Sequence, residues 1–228
     1  MIGQHGYGLQ QRPINRGGMI AMVLLATFFG GVFSPSVSAA DGRIRTIMAF
    51  GDSLTSGYGL PPADAFPVKL EAALRARGHA VRVINAGVAG DTTAGGRARL
   101  AWMLADKPDA VILELGANDG LRGLDPAETL ANLRAIMEQL KAADLPVLLA
   151  GMRAPPNLGR DFGAEFDTIF ATVALEYDAL FYPFFLEGVA ALPRLNQNDG
   201  IHPNSAGVTI VVERIIPSVE ALLSRVQP

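Results

Sequence analysis

The chain has 228 residues, of which about half are apolar and 18% are charged, and its formal net charge is −3. A chain of this length and apolar content fits one globular domain with a full core, and because it has no basic cluster we do not expect it to bind nucleic acid. It has no cysteine, which excludes disulfides, thiolate metal sites and a lipid anchor on an N-terminal Cys.

The first 40 residues have the composition of a secretory leader. Their only charged residues are Arg12 and Arg16, and a compact apolar run then leads into a stretch rich in small residues. This order is typical of a signal peptide. We therefore predict a signal peptide over residues 1–39, cleaved after Ala39 or Ala40, and a mature protein that is periplasmic or secreted. The alternative, an uncleaved anchor, is less favoured because the apolar run is shorter than the ~20 residues of a membrane span.

Apolar runs alternate with helix-like segments through the rest of the chain. Short, nearly continuous apolar runs are typical of strands in a parallel sheet that is covered on both faces. Five such runs are predicted as strands: 44–50, 81–84, 110–115, 146–151 and 180–183. Strands that alternate with helices predict one α/β domain over residues 43–226, a three-layer α/β/α sandwich with a mostly parallel five-stranded sheet.

Two helices have clear sequence signals. Asp125, a following proline and Glu128 form an N-terminal capping pattern. The last helix should follow Asn204, and Pro217 should kink it or end it. Trp102 is expected to pack the helix that follows the second strand.

A candidate nucleophile lies directly after the first strand, in the sequence Gly51-Asp52-Ser53. A strand that breaks there and continues as a helix exposes the serine hydroxyl at the carboxyl edge of the sheet, where open α/β sheets place their sites. A serine in that position can act as a nucleophile only if a base activates it.

The candidate base follows from exclusion. The chain has three histidines; His5 lies in the predicted leader, and His79 precedes the second strand, at the opposite edge of the predicted sheet. His202 remains as the base for Ser53. Asp199, three residues earlier, can orient the imidazole through the ring nitrogen that faces away from the serine.

Acyl transfer also needs hydrogen-bond donors for the developing oxyanion. Gly90 follows the second strand and lets a backbone N–H approach a substrate closely. Asn118 follows the third strand and offers a side-chain amide, and the N–H of Ser53 at a helix start is a third donor. One nucleophile, one base, one orienting carboxylate and three donors are thus expected from four loops.

These four segments, in this order, resemble the sequence blocks of the SGNH (GDSL-type) hydrolases. The resemblance covers nearly all of residues 43–225 and extends to bacterial periplasmic esterases that act as arylesterase, acyl thioesterase and lysophospholipase. It implies a flavodoxin-like sheet, catalytic Ser53, Asp199 and His202, and an oxyanion hole of Ser53, Gly90 and Asn118. It also implies ester, thioester or lysophospholipid substrates and no cofactor.

Each motif alone has a simpler interpretation. Ser53 or its neighbour Asp52 could cap a helix, Asn118 could close a turn, and Gly90 could be a turn glycine. Asp52 is expected to brace the active-site loops rather than to react. A metal site around His202 is disfavoured, because one histidine and no cysteine leave too few good ligands.

Apolar residues on the strand-end loops could anchor those loops or line an acyl groove, and Leu121, Met152 and Pro155 are the candidates for substrate binding. The apolar character favours acyl chains. Two alternatives stay open: a deacetylase of carbohydrate or cell-envelope polymer, and a non-catalytic envelope-binding protein on the same fold. No stable membrane insertion is expected once the leader is removed, and the oligomeric state is not predicted.

Overall fold

Five parallel strands form the centre of the protein in a computed structural model, which describes residues 43–227. In chain order the strands are β1 (Arg45–Gly51), β2 (Val81–Gly87), β3 (Ala110–Glu114), β4 (Val147–Ala150) and β5 (Leu180–Tyr182). They are arranged as β2-β1-β3-β4-β5, and every neighbouring pair is parallel. The predicted α/β class with a five-stranded sheet is confirmed.

Seven α-helices connect and cover the strands. They are α1 (Ser53–Ser56), α2 (Phe66–Ala76), α3 (Thr93–Met103), α4 (Ala117–Leu121), α5 (Pro126–Ala142), α6 (Arg160–Glu176) and α7 (Ser205–Arg225), within the described residues. Helix α2 packs on α7, while α5 packs on both α3 and α6. Asp125 caps α5 as predicted, since its Oδ1 accepts a hydrogen bond from the N–H of Ala127 at 2.9 Å.

The burial of the strands explains their order. Every residue of β3 and β4 is buried, whereas β2 and β5 at the two edges are partly exposed. The strand order reverses between β1 and β3, whose neighbours β2 and β4 extend the sheet in opposite directions. Such a switch point opens a crevice at the carboxyl ends of the strands, and β1 and β3 are the strands that precede Ser53 and Asn118.

Strand β2 is longer than its apolar run predicted. It continues to Gly87, because residues 85–87 pair in register with residues 49–51 of β1. Backbone hydrogen bonds to β1 therefore extend β2 beyond the point where its apolar side chains end.

Of the two outcomes expected at Pro217, an end of the helix is wrong, because α7 runs on to Arg225. Proline removes one backbone hydrogen bond, yet Ile216 and Val219 on either side are buried in the core, and this packing outweighs the loss. Trp102 does not pack its helix against the protein, because 84% of its surface is exposed.

The predicted signal peptide, residues 1–39, lies outside the described residues, so it and its cleavage site stay predictions. None of the helices within residues 43–227 has the length and apolar character that crossing a membrane requires.

Candidate active site

The turn that carries Ser53 is tightly packed. Strand β1 ends at Gly51 and α1 begins at Ser53, while the side chain of Asp52 caps α1 by accepting the N–H of Leu54 at 2.9 Å. A Cβ atom at Gly51 would overlap Thr55 Oγ1 and the side chain of Glu114. Only glycine therefore lets the strand pass close enough to these groups to turn and project the serine outward.

The loop that carries His202 is built by short-range hydrogen bonds. Asp199 Oδ1 accepts the backbone N–H groups of Ile201 and His202, each at 3.0 Å. Gln197 N–H donates to the carbonyl of His202 at 2.7 Å, and Gly200 between them has a φ of +77°, which glycine adopts without strain. The loop therefore closes on itself around Asp199.

The imidazole of His202 joins these two segments. Its Nε2 lies 2.9 Å from Ser53 Oγ, and its Nδ1 lies 2.7 Å from Asp199 Oδ2. Partial burial opposes ionisation of Asp199, but hydrogen bonds from His202 and Ile201 lower its pKa to about 2. Because an ionised carboxylate only accepts, Nδ1 carries the proton, and Nε2 is left to accept the serine hydroxyl.

Two contacts that sequence reasoning missed connect the loops. The ring of Tyr58 lies 4.8 Å from that of His202, measured between centroids. Gln197 Nε2 donates to the carbonyls of Tyr58 at 2.8 Å and Pro203 at 3.0 Å. The sequence analysis gave neither Tyr58 nor Gln197 a role of its own.

Asn118 is held beside the nucleophile by two acceptors. Its Nδ2 donates to Asp52 Oδ2 at 3.0 Å and to the carbonyl of Asp91 at 2.9 Å. Asp52 is fully buried, and burial raises its pKa to about 6 even though the hydrogen bonds from Leu54 and Asn118 oppose the rise. An oxyanion at this place would share an amide hydrogen that Asp52 or Asp91 already accepts.

A second buried carboxyl group, Glu114, lies beneath the same turn and was also missed. Its Oε2 accepts the hydroxyl of Thr55 at 2.6 Å, while its Oε1 has no hydrogen-bond partner among the described residues. Complete burial, together with the charge of Asp52, raises the pKa of Glu114 well above its usual value of 4.5. Its buried surroundings therefore favour the neutral form of Glu114 over the charged form.

The other two expected oxyanion donors are backbone groups. Neither the N–H of Ser53 nor that of Gly90 donates to another described residue. Gly90 has a φ of +83°, and its carbonyl accepts Arg122 Nη2 at 2.7 Å. Ser53 and Asn118 line the cavity at the site, whereas Gly90 does not.

A cavity of about 360 Å³ opens beside Ser53, Asn118 and His202. The three residues expected to bind substrate, Leu121, Met152 and Pro155, all line it. Most of the remaining wall is also apolar, and the sequence analysis did not single out its larger members: Leu54, Phe184, Leu186 and Ile201. Within residues 43–227, no three His, Asp or Glu side chains are placed to hold a metal ion.

The opposite edge of the sheet has a different character. A larger cavity of about 490 Å³ lies there, lined by residues such as Asp109, Lys141 and Arg225 and by none of the site residues. His79 bonds Glu220 at 3.2 Å and lies just before the amino end of β2, whereas Ser53 follows the carboxyl end of β1.

Comparisons with known proteins agree with this geometry. The family model described as the GDSL-like lipase/acylhydrolase family matches residues 49–210. The chain is 39% identical over 199 residues to esterase TesA of Pseudomonas aeruginosa, covering 87% of this chain and 99% of that protein. It is 37% identical over 180 residues to thioesterase 1/protease 1/lysophospholipase L1 of Escherichia coli, covering 78% of this chain and 85% of that protein.

Among solved structures, AlinE4, an SGNH-hydrolase family esterase, is 50% identical and superposes with a TM-score of 0.68 over 81% of this chain and 99% of that one. The residues that match the family model, 49–210, include Ser53, Gly90, Asn118, Asp199 and His202. The chain therefore belongs to the GDSL-like lipase/acylhydrolase family of SGNH hydrolases, and it is an enzyme that hydrolyses ester bonds.

Proposed function

We propose that Ser53, His202 and Asp199 form the catalytic triad of this hydrolase. The observation that carries the proposal is the 2.9 Å contact between His202 Nε2 and Ser53 Oγ. His202 takes the hydroxyl proton as Ser53 Oγ attacks the ester or thioester carbonyl, and Asp199 stabilises the imidazolium that forms. The imidazolium returns the proton to the leaving alcohol or thiol. Water activated by His202 then releases the acid from the acyl-enzyme.

The N–H groups of Ser53 and Gly90 and the amide of Asn118 are proposed to hold the oxyanion. Support comes from the two backbone N–H groups, which donate to no other described residue. The Asn118 amide is held in place by Asp52 and Asp91, and an oxyanion would share one of the two amide hydrogens with these acceptors.

The proposed substrates are carboxylic esters and thioesters with an apolar acyl chain, including aryl esters and lysophospholipids. The apolar wall around Leu121, Met152 and Pro155 supports this class, because burying a methylene in such a wall contributes about 0.8 kcal/mol. Relatives named as esterase, thioesterase and lysophospholipase, and as arylesterase, act on the same bond types. Acetylated sugars, the alternative class, would leave most of this wall unused.

The direct test uses Ser53→Ala and His202→Ala in the leaderless protein. Each should lower kcat/KM for p-nitrophenyl octanoate by at least about 10³-fold, and the serine variant should lose labelling by a fluorophosphonate probe. Ser224→Ala and His79→Ala are matched controls away from the cavity and should keep full activity. Retained turnover in either triad variant would overturn the assignment. A strict preference for acetylated sugars over octanoyl esters would overturn the proposed substrate class.

We also propose export with removal of residues 1–39, on the composition of the leader. Mass spectrometry of the protein recovered outside the cytoplasm should place the new N-terminus after Ala39 or Ala40. An intact N-terminus in that fraction would favour an anchor.

A further inference from the structure

One exposed, charged side chain lies at the wall of the apolar cavity. Of the residues that line it, Arg153 is the single one with a permanent charge, and no carboxylate lines it. The guanidinium carbon lies 4.7 Å from the centroid of the Phe184 ring, which is itself part of the wall. Arg153 is therefore a component of the cavity rather than a side chain that only passes near it.

The other arginines close to the site are already engaged. Arg99 pairs with Asp91 at 2.6 Å, and Arg122 donates to the carbonyl of Gly90 at 2.7 Å. Arg153 makes neither an ion pair nor a side-chain hydrogen bond with any other residue of the described range 43–227. Its charge thus lies at the reaction cavity without an acidic partner in that range.

The contact with Phe184 leaves the hydrogen-bond donors of Arg153 available. The guanidinium lies over the ring through a cation–π contact, and its five N–H donors form a rigid planar fork. A planar fork of this kind matches the oxygens of a phosphate or carboxylate in two-point contacts. The chain as a whole is weakly acidic, with a net charge of −3, so this cation is a local feature and not part of a basic surface.

We propose that Arg153 binds a phosphate group carried by the leaving group of the substrate, while the apolar wall holds the acyl chain. This inference rests on the proposed function, because it names the substrate class of the same site. The matching molecule is an anionic amphiphile, and two sources share that chemistry: a lysophospholipid, which leaves a phosphorylated alcohol, and an acyl thioester of a phosphorylated thiol.

The test compares substrates that differ in charge but share a lauroyl chain. The phosphorylated pair is lysophosphatidic acid and lauroyl-coenzyme A, and the uncharged pair is monolauroylglycerol and lauroyl-N-acetylcysteamine, all used below their micellar concentrations. Arg153→Gln should lower kcat/KM about 10-fold on a phosphorylated substrate, mainly through KM, and change the uncharged pair less than twofold. Arg153→Lys should fall between the two. Arg160→Gln, which removes one exposed positive charge outside the cavity, is the matched control and should behave as wild type.

The outcomes separate the sources and the hypotheses. A selective loss on one phosphorylated substrate alone identifies the source, and a loss on both supports the shared chemistry. An equal loss on charged and uncharged substrates, or no selective loss, overturns the phosphate subsite. Failure of the wild type to hydrolyse any ester would instead contradict the proposed function. In that case, binding of a non-hydrolysable lauryl ether of glycerophosphate still decides the subsite, since wild type should bind it about 10-fold more tightly than Arg153→Gln.

Discussion

The two segments that bring Ser53 and His202 together are built in different ways. The serine turn is part of the core: Asp52, Thr55 and Glu114 around it are all fully buried, and Gly51 has no room for a side chain. The histidine loop is largely exposed at Asp199 and Gly200, and hydrogen bonds within residues 196–204 hold it.

This difference predicts which property each segment controls. Changes in the serine turn disturb the packing of β1 and β3 and should lower stability and activity together. Changes in the histidine loop should lower activity while the fold persists, because few core contacts depend on that loop. The following substitutions test that division, from the largest expected effect to the smallest.

Asp199→Ala should reduce kcat about 10³–10⁴-fold, because the imidazole loses the partner that fixes its tautomer and stabilises its charged form. Thermal unfolding should shift by no more than about 4 °C, since Asp199 is exposed. Steady-state kinetics and calorimetry measure the two effects, with the exposed Asp161→Ala as control. A large loss of stability would contradict a locally built histidine loop.

Gly51→Ala should lower both properties at once. The added methyl group meets Thr55 and both the side chain and the backbone of Glu114, and such overpacking costs about 3 kcal/mol. For a domain of this size, that lowers the midpoint of thermal unfolding by about 6–12 °C. Gly200→Ala is the matched variant in the other segment; nothing lies within 4 Å of its Cβ position, and its positive φ costs only about 1–2 kcal/mol. Equal losses of stability in the two variants would contradict the difference proposed between the serine turn and the histidine loop.

Asp52→Asn tests the electrostatics of the serine turn. The variant keeps the shape of the side chain but replaces one of its two acceptor oxygens with an NH2 group. It therefore loses an acceptor for either the Leu54 N–H or the Asn118 amide, and kcat/KM should fall about 10–100-fold. Burial raises the pKa of Asp52 to about 6, so its negative charge is lost as the pH falls through that value.

The pH profile of kcat/KM carries the diagnostic readout for Asp52. In the wild type, protonation of Asp52 should contribute to the fall of kcat/KM on the acidic side, and Asp52→Asn should make that limb less steep. An unchanged slope would show that Asp52 acts only as a helix cap. Asp125→Asn, at the exposed cap of α5, should leave the profile as in the wild type.

Glu114→Gln should have the smallest effect, since burial raises the pKa of Glu114 and favours its neutral form, and glutamine has nearly the same shape. The value of kcat/KM should stay within about threefold of the wild type. A raised pKa means that the folded state holds this proton more tightly than the unfolded chain. The contribution of Glu114 to the free energy of unfolding of the wild type therefore decreases as the pH rises above about 4.5, the usual pKa of this carboxyl group.

Urea unfolding at pH 5, 7 and 8.5 measures this effect, and Glu114→Gln should show a flatter decline than the wild type. The exposed Glu128→Gln should follow the wild type. If Glu114→Gln abolishes activity at every pH while the protein stays folded, Glu114 is charged and takes a direct part in the reaction.

Much of the fold and the candidate site could be predicted from local patterns. Five apolar runs predicted the strands, because a strand buried on both faces needs apolar residues throughout. Ser53 could be predicted because its motif directly follows a strand. His202 could be predicted because the other two histidines were excluded. The exposure of Trp102 was missed, and the sequence left open whether α7 continues past Pro217. Both depend on whether a neighbouring element covers that part of a helix.

The sequence by itself determined the fold class, the residue types that can react, and their order along the chain, because hydrophobic periodicity and short motifs are local properties. Only the tertiary structure decided that positions 149 residues apart lie 2.9 Å from each other, that Glu114 is buried under the nucleophile, and that Arg153 lines the acyl cavity. These are long-range effects: burial, charge environment and contact depend on which strands become neighbours, and no single segment carries that information.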